Sequence, residues 1–115
     1  MKELSVKFDL SDSEFYTALR LVAGAFCSIG EKDVDCAEDF KVCVTESALI
    51  LKNCGFKSVN AVFSAQDGVK AVLTGEGGNP ANAENELSLA LIGALVEKCG
   101  IEKCGGVINS VTLEL

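Results

Sequence analysis

The residues that could do chemistry in this sequence are its cysteines, a glutamate inside an apolar helix, and a glycine-rich stretch followed by acids. Cys27, Cys36, Cys43, Cys54, Cys99 and Cys104 could ligate a soft metal, pair as disulfides or act as nucleophiles. None belongs to a Cys-x2-Cys pair and the chain has no histidine, so a zinc site would have to be assembled from scattered thiolates. The missing histidine also excludes Ser-His and Cys-His nucleophilic catalysis. Cys27, Cys43, Cys54 and Cys99 sit inside or beside apolar stretches with helical spacing, where a free cysteine behaves as a small buried hydrophobe. A small redox or metal-binding protein stays open as an alternative on the cysteine count alone.

Glu46 lies on a helix among apolar residues, where a carboxylate stands as a solvated or hydrogen-bonded side chain. The stretch Thr74-Gly75-Glu76-Gly77-Gly78 has the glycine density of a flexible turn. Its surroundings oppose phosphate: from Ala71 through Glu97 there is no Lys or Arg, whereas Glu76, Glu84, Glu86 and Glu97 are acidic. A carboxylate 4 Å from a phosphate charge costs ~4 kcal/mol at an effective dielectric near ~20. Lys52 and Lys57 are read as surface charges. Tyr16 and Arg20, four residues apart on the first helix, share a patch away from its apolar stripe and are of the types that most often anchor protein interfaces.

Several elements must position these groups. Leu4, Val6 and Phe8 alternate as a strand, and Ser11-Asp12-Ser13-Glu14 reads as a capping box. The helix that follows carries Phe15, Leu19, Val22, Phe26 and Ile29 on one face and stops at Gly30. Asp35 with Glu38 starts a second helix through Phe40, Val44, Ala48 and Leu51 to Gly55. Val59 to Phe63 and Val69 to Leu73 form a hairpin around Asp67-Gly68. Thr74 to Glu86 is expected as a long loop, Leu87 to Cys99 as a third helix and Val107 to Leu115 as a last strand. Helices and strands do not alternate regularly, so the expected fold is α+β: a two-layer sandwich of a mixed, mostly antiparallel sheet with three helices on one face. Ser58, Asn60, Ser64, Lys70 and Thr112 would line the open face of that sheet.

The chain's 115 residues suit one domain spanning 1–115, and 49% hydrophobic with 23% charged residues is the composition of a packed core. The apolar run Leu87 to Val96 is far shorter than a membrane span, and the N-terminus lacks a secretory h-region, so a cytoplasmic protein without a membrane anchor is expected. Ten basic against seventeen acidic residues give a charge of −7, which disfavours direct binding to nucleic acid.

The order of elements, with three stretches, resembles the histidine-kinase-like ATPase superfamily (the Bergerat fold), and in particular its anti-sigma-factor serine kinase branch. Glu38 to Ala48 looks like the family's second helix, Leu87 to Glu97 like the helix after its nucleotide lid, and Gly105 to Leu113 like its closing Gly-Gly and strand. The resemblance implies that Glu46 takes the place of the general base. It places the magnesium-binding asparagine at Ile50, which offers no oxygen to a hard cation. Asn53 lies three residues further on and is expected to be turned away.

The family's adenine-binding aspartate falls at Thr74 or Gly75, with Glu76 a substitute if the loop shifts, and Gly77 lies in the same motif. Its phosphate-loop glycines fall at Glu86 and Ser88. These departures lead to the expectation of a bacterial regulator that binds no cofactor and acts through a protein partner of the sigma-factor or anti-sigma-antagonist type, with a homodimer possible. The first helix, with Tyr16 and Arg20, would belong to the partner-facing surface. The alternative is an ATP- and magnesium-dependent serine/threonine protein kinase of the anti-sigma type.

Overall fold

The computed structural model describes residues 3–115. Its elements are β1 (Glu3–Asp9), α1 (Glu14–Ile29), α2 (Val34–Asn53), β2 (Ser58–Ala65), β3 (Val69–Glu76), α3 (Glu86–Leu95), β4 (Lys98–Cys104) and β5 (Val107–Glu114). The strands form one five-stranded sheet in the order β1-β2-β3-β5-β4, every pairing antiparallel. With α1, α2 and α3 layered on it, the architecture is the α+β two-layer sandwich expected from the pattern of elements.

Strand alternation builds the core. Phe8 of β1 pairs with Val59, Ala61 of β2 with Leu73, and Ala71 of β3 with Leu113, and all of these are buried under the helices. From α1 come Leu19, Ala23, Phe26 and Cys27, and from α2 Phe40, Cys43, Val44, Ser47, Ala48, Ile50 and Leu51. The rings of Phe26 and Phe63 stack at 5.8 Å where helix meets sheet. The open face is polar: Ser5 donates to Asn60 at 3.1 Å, Thr74 and Ser110 share a hydrogen bond at 3.3 Å, and Lys7 pairs with Glu76 at 2.8 Å. Such a face tolerates water without a second layer.

Several local expectations are corrected. No capping box forms at α1. Instead Asp9 accepts from the Ser11 hydroxyl at 2.7 Å and its amide at 2.9 Å, and Asp12 accepts from the Glu14 amide at 3.2 Å. The Ser11 bonds, the hydroxyl's above all, hold the Asp9 pKa below the ordinary carboxylate value. At α2 the cap is Asp33, which accepts from the Cys36 amide at 2.8 Å and opens the helix before Asp35. The buried side of α1 is also rotated from the expected stripe, leaving Phe15 and Ile29 exposed.

The largest correction is at the C-terminal end. The third helix stops at Leu95, because Val96 turns extended at φ −113° and ψ 155°, and Lys98–Cys104 becomes the edge strand β4. A hairpin through Gly105 and Gly106, both at positive φ (59° and 83°), joins it to β5. Ile101 is the one residue of β4 that is even half-buried, so the strand has no apolar alternation to announce it. Cys99 is therefore an exposed strand residue and not a helical core cysteine. Among the described residues, no helix is long and apolar enough to cross a membrane.

Candidate functional site

The principal concavity is a cleft of about 780 Å³ between the C-terminal half of α2 and the start of α3, lined by Leu49, Lys52, Asn53, Glu84, Asn85, Glu86, Leu87 and Ser88. Glu84 and Asn85, which line it, end the 77–85 segment, part of the stretch expected as a long loop but tied down along its length. Asn79 donates its amide to Gly55 O at 3.1 Å and Ala81 to Cys54 O at 2.7 Å. Gly78 lies at φ 72°, and a Cβ there would collide with the Gly55 carbonyl, so the two chain segments touch backbone to backbone.

Two asparagines complete the tie. Asn53 donates to Glu84 O at 3.0 Å and to Asn85 Oδ1 at 3.1 Å. Asn85, buried at the start of α3, donates in turn to Ala83 O at 3.3 Å and to Cys54 Sγ at 3.4 Å. Asn53 thus faces the cleft, against expectation: it stands seven residues after Glu46, and two helical turns return it to the same side.

The residues singled out in the sequence divide between the two sides of the sheet. Glu46 and Ser88 come together beside the cleft, the Ser88 hydroxyl donating to Glu46 Oε1 at 3.0 Å, and Glu86 stands on the rim. Ile50 lies wholly within the core. Thr74 and Glu76 belong to β3, not to a loop, and alternate onto the open face, where Ser110 and Lys7 engage them. Gly75 points the other way, against the ring of Phe56, and Gly77 is an exposed turn residue at φ 67°.

On α1, Tyr16 is half-buried, its hydroxyl donating to Leu10 O at 3.0 Å and its ring edge-on to Phe8 at 5.9 Å. Burial raises its pKa. Arg20 is exposed and lines a second, smaller depression of about 230 Å³ with Thr17, Leu21 and Lys41. Lys41 also pairs with Glu38 at 3.0 Å. The two α1 residues therefore do different work: Tyr16 fastens α1 to β1, and Arg20 remains for solvent or a partner.

All six cysteines are free thiols, with Cys27, Cys43 and Cys54 buried and Cys99 and Cys104 exposed. Burial pushes Cys27 up to about 11 and Cys43 up to about 12. Among the described residues no three Cys, Asp or Glu side chains are gathered as metal ligands. Of the cleft residues, Leu49 and Asn85 draw no notice in the sequence, Lys52 reads only as a surface charge and Leu87 only as the start of the third helix. The available signal was α3 itself, an apolar helix with almost no polar residues to face water. Comparison with protein-family models and with curated proteins finds no match to this chain.

Proposed function

We propose that this protein is a bacterial cytoplasmic regulator of the histidine-kinase-like ATPase fold, similar to the anti-sigma-factor branch, that acts by binding another protein and does not use magnesium-ATP. The observation that carries the reading is the environment of Ile50. The position where the resemblance puts the metal ligand is a fully buried core side chain, so no cation can be held next to Glu46 from there. The other residues do not fit the nucleotide either. Glu84 and Glu86 face the cleft, Lys52 is its one cation, and Thr74 and Glu76 are engaged on the opposite face of the sheet. Glu46, bonded to Ser88, acts in this reading as a helix-to-helix tie between α2 and α3.

Exposed Arg20, with Lys41 and Leu21 beside it, supports α1 as one partner-facing surface, the partner being of the sigma-factor or antagonist type. The test is a thermal melt with and without millimolar magnesium-ATP. Ligand at a hundredfold its dissociation constant adds ~2.7 kcal/mol to the native state. In a domain of this size each kcal/mol moves the midpoint by ~4–8 °C, so a working site would raise it by about 10 °C or more. The expected result is no shift. A magnesium-dependent rise that Glu46→Ala abolishes would establish the kinase reading instead.

A further inference from the structure

Helix α3 has a composition that its place in the fold does not explain. After Glu86 it contains no charged residue, yet Ile92 is its one fully buried side chain. Leu87 is 89% exposed and Leu91 40% exposed, and Ala90 and Ala94 are exposed as well. These four recur at the i, i+3, i+4, i+7 spacing of a helix-packing stripe, on the side of α3 turned away from Ile92. Leu49 of α2, 39% exposed, extends the stripe across the cleft.

Gly93 adds a separate observation. It sits inside the helix on the flank of the stripe, and a Cβ built on it meets nothing within 4 Å. Glycine is the poorest helix former after proline, and no contact within this chain requires the missing side chain. A helix laid across Ala90, Gly93 and Ala94 from outside would require it, because small residues let two helix axes approach to the near end of the ~8–10 Å packing range.

Charge decides what that outside helix is. The stripe is flanked by Glu84 and Glu86 at its start and Glu97 beyond its end, against Lys52 on the cleft side and Lys98 next to Glu97, so acids outnumber bases three to two around it, and the chain carries −7. Two copies joined face to face would bring these carboxylates together within a screening length of ~8–10 Å. An anionic membrane surface would be repelled in the same way. We infer that α3 and Leu49 form a docking surface for an amphipathic helix of a partner protein whose apolar stripe is flanked by Lys and Arg. The inference rests on the reading of this protein as a protein-binding regulator and adds a second surface, distinct from Arg20, with a stated partner chemistry.

The test measures fluorescence anisotropy with the full chain and a labelled peptide of about 18 residues, long enough to hold a helix, carrying leucines at helical spacing and lysines elsewhere. Two controls are a peptide with glutamates for the lysines and a scramble of the lysine peptide that keeps its charge and loses its stripe. The striped basic peptide is expected to bind at least about tenfold more tightly than either control at ~0.15 M salt. Leu87→Asn, at a position that is almost wholly exposed, should weaken it several-fold while moving the melting temperature by only a few degrees. Gly93→Leu should weaken it by closing the approach.

Equal binding of the scramble, or undiminished binding to both variants, would overturn the inference. So would a dimer of the wild type that Leu87→Asn dissolves, since the occupant would then be a second copy. The outcome is separable from that of the nucleotide test: stabilisation by magnesium-ATP with peptide binding intact defeats the regulator reading alone, and loss of peptide binding without a nucleotide shift defeats this surface alone.

Discussion

Helices α2 and α3 line the same cleft and follow opposite rules. α2 mixes Asp35, Glu38, Asp39, Lys41, Glu46 and Lys52 with apolar residues, and it sets seven side chains into the core. α3 is far more apolar and buries one. Apolar content therefore does not measure how strongly a helix is held by its own fold. What holds α2 is the registration of its apolar side with α1 and the sheet, which buries Phe40, Val44, Ala48 and Leu51 in successive turns. α3 has one contact row, on α2 and β4, and presents the rest of its surface outward. The difference teaches that the apolarity of α3 exceeds what its contacts within the fold bury.

The strongest way to break this comparison is to cut into α2. Ile50→Ala removes most of a side chain with no solvent exposure, and such truncations cost ~2–5 kcal/mol, the transfer free energy plus the cavity left behind. At ~4–8 °C per kcal/mol the midpoint should fall by about 10 °C or more. A loss of only a degree or two would mean that the α2 packing is loose and that Ile50 is available for substitution by a ligand. That outcome would remove the main support for a degenerate nucleotide site.

How far these features were legible in the sequence follows from the same contrast. The core strands and α1 and α2 could be read because burial leaves a period in the sequence, two for Val59, Ala61 and Phe63 and near 3.6 for Phe40, Val44, Ala48 and Leu51. β4 left no period because it is an edge strand with little to bury, and its Gly105-Gly106 turn was absorbed into a family pattern. The end of α3 was overrun for a related reason: Val96 and Cys99 continue the apolar run of the helix while the backbone has already become extended.

Of the candidate site, Glu46, Glu86 and Ser88 are grouped in the sequence only through the family resemblance, which assigns all three to one nucleotide site. The asparagine tie could not be read at all, since it depends on Asn53 and Asn85, 32 residues apart, meeting through side-chain amides. Thr74 and Glu76 were assigned to a loop by composition, but β3 runs through them because Gly75 admits the Phe56 ring against the strand.

A smaller effect sharpens the comparison through pH. The Cys27 and Cys43 thiols titrate from the ordinary value of 9.0 up to about 11 and about 12, chiefly because burial disfavours the thiolate. Both folded-state values are raised, so the native state holds these protons more tightly than the unfolded chain. Their contribution is fully present below pH ~9 and is lost as pH rises through the folded values. Melts from pH 8 upward should therefore show a midpoint that falls above about pH 9, with a shallower fall in Cys27→Ala.

Thiol labelling in the native state at pH 8 resolves the two helical regions further. Cys104 should react at once, Cys99 more slowly because burial raises its pKa, and Cys27 only on unfolding. Cys43, whose Sγ lies 4.0 Å from Ile92 O, should be released ahead of Cys27 by local opening of α3. Equal protection of Cys27 and Cys43 would show that α3 opens only with the whole domain.

The smallest expected effect is the most discriminating. Leu87→Ala exchanges one good helix former for another at a side chain that is 89% exposed, so neither helix propensity nor burial supplies a large energy. Surface substitutions of this kind stay within about 0.5 kcal/mol, a midpoint change of no more than ~2–4 °C. Ile92→Ala, five residues along the same helix but fully buried, should cost ~2–5 kcal/mol. The pair compares two large aliphatic side chains on one helix that differ in which way they face. If Leu87→Ala destabilises as much as Ile92→Ala, the outward stripe packs within this chain and α3 is an ordinary core helix. If the two separate by more than ~1 kcal/mol, α3 is held by one face only, and Leu87 is free to meet a partner.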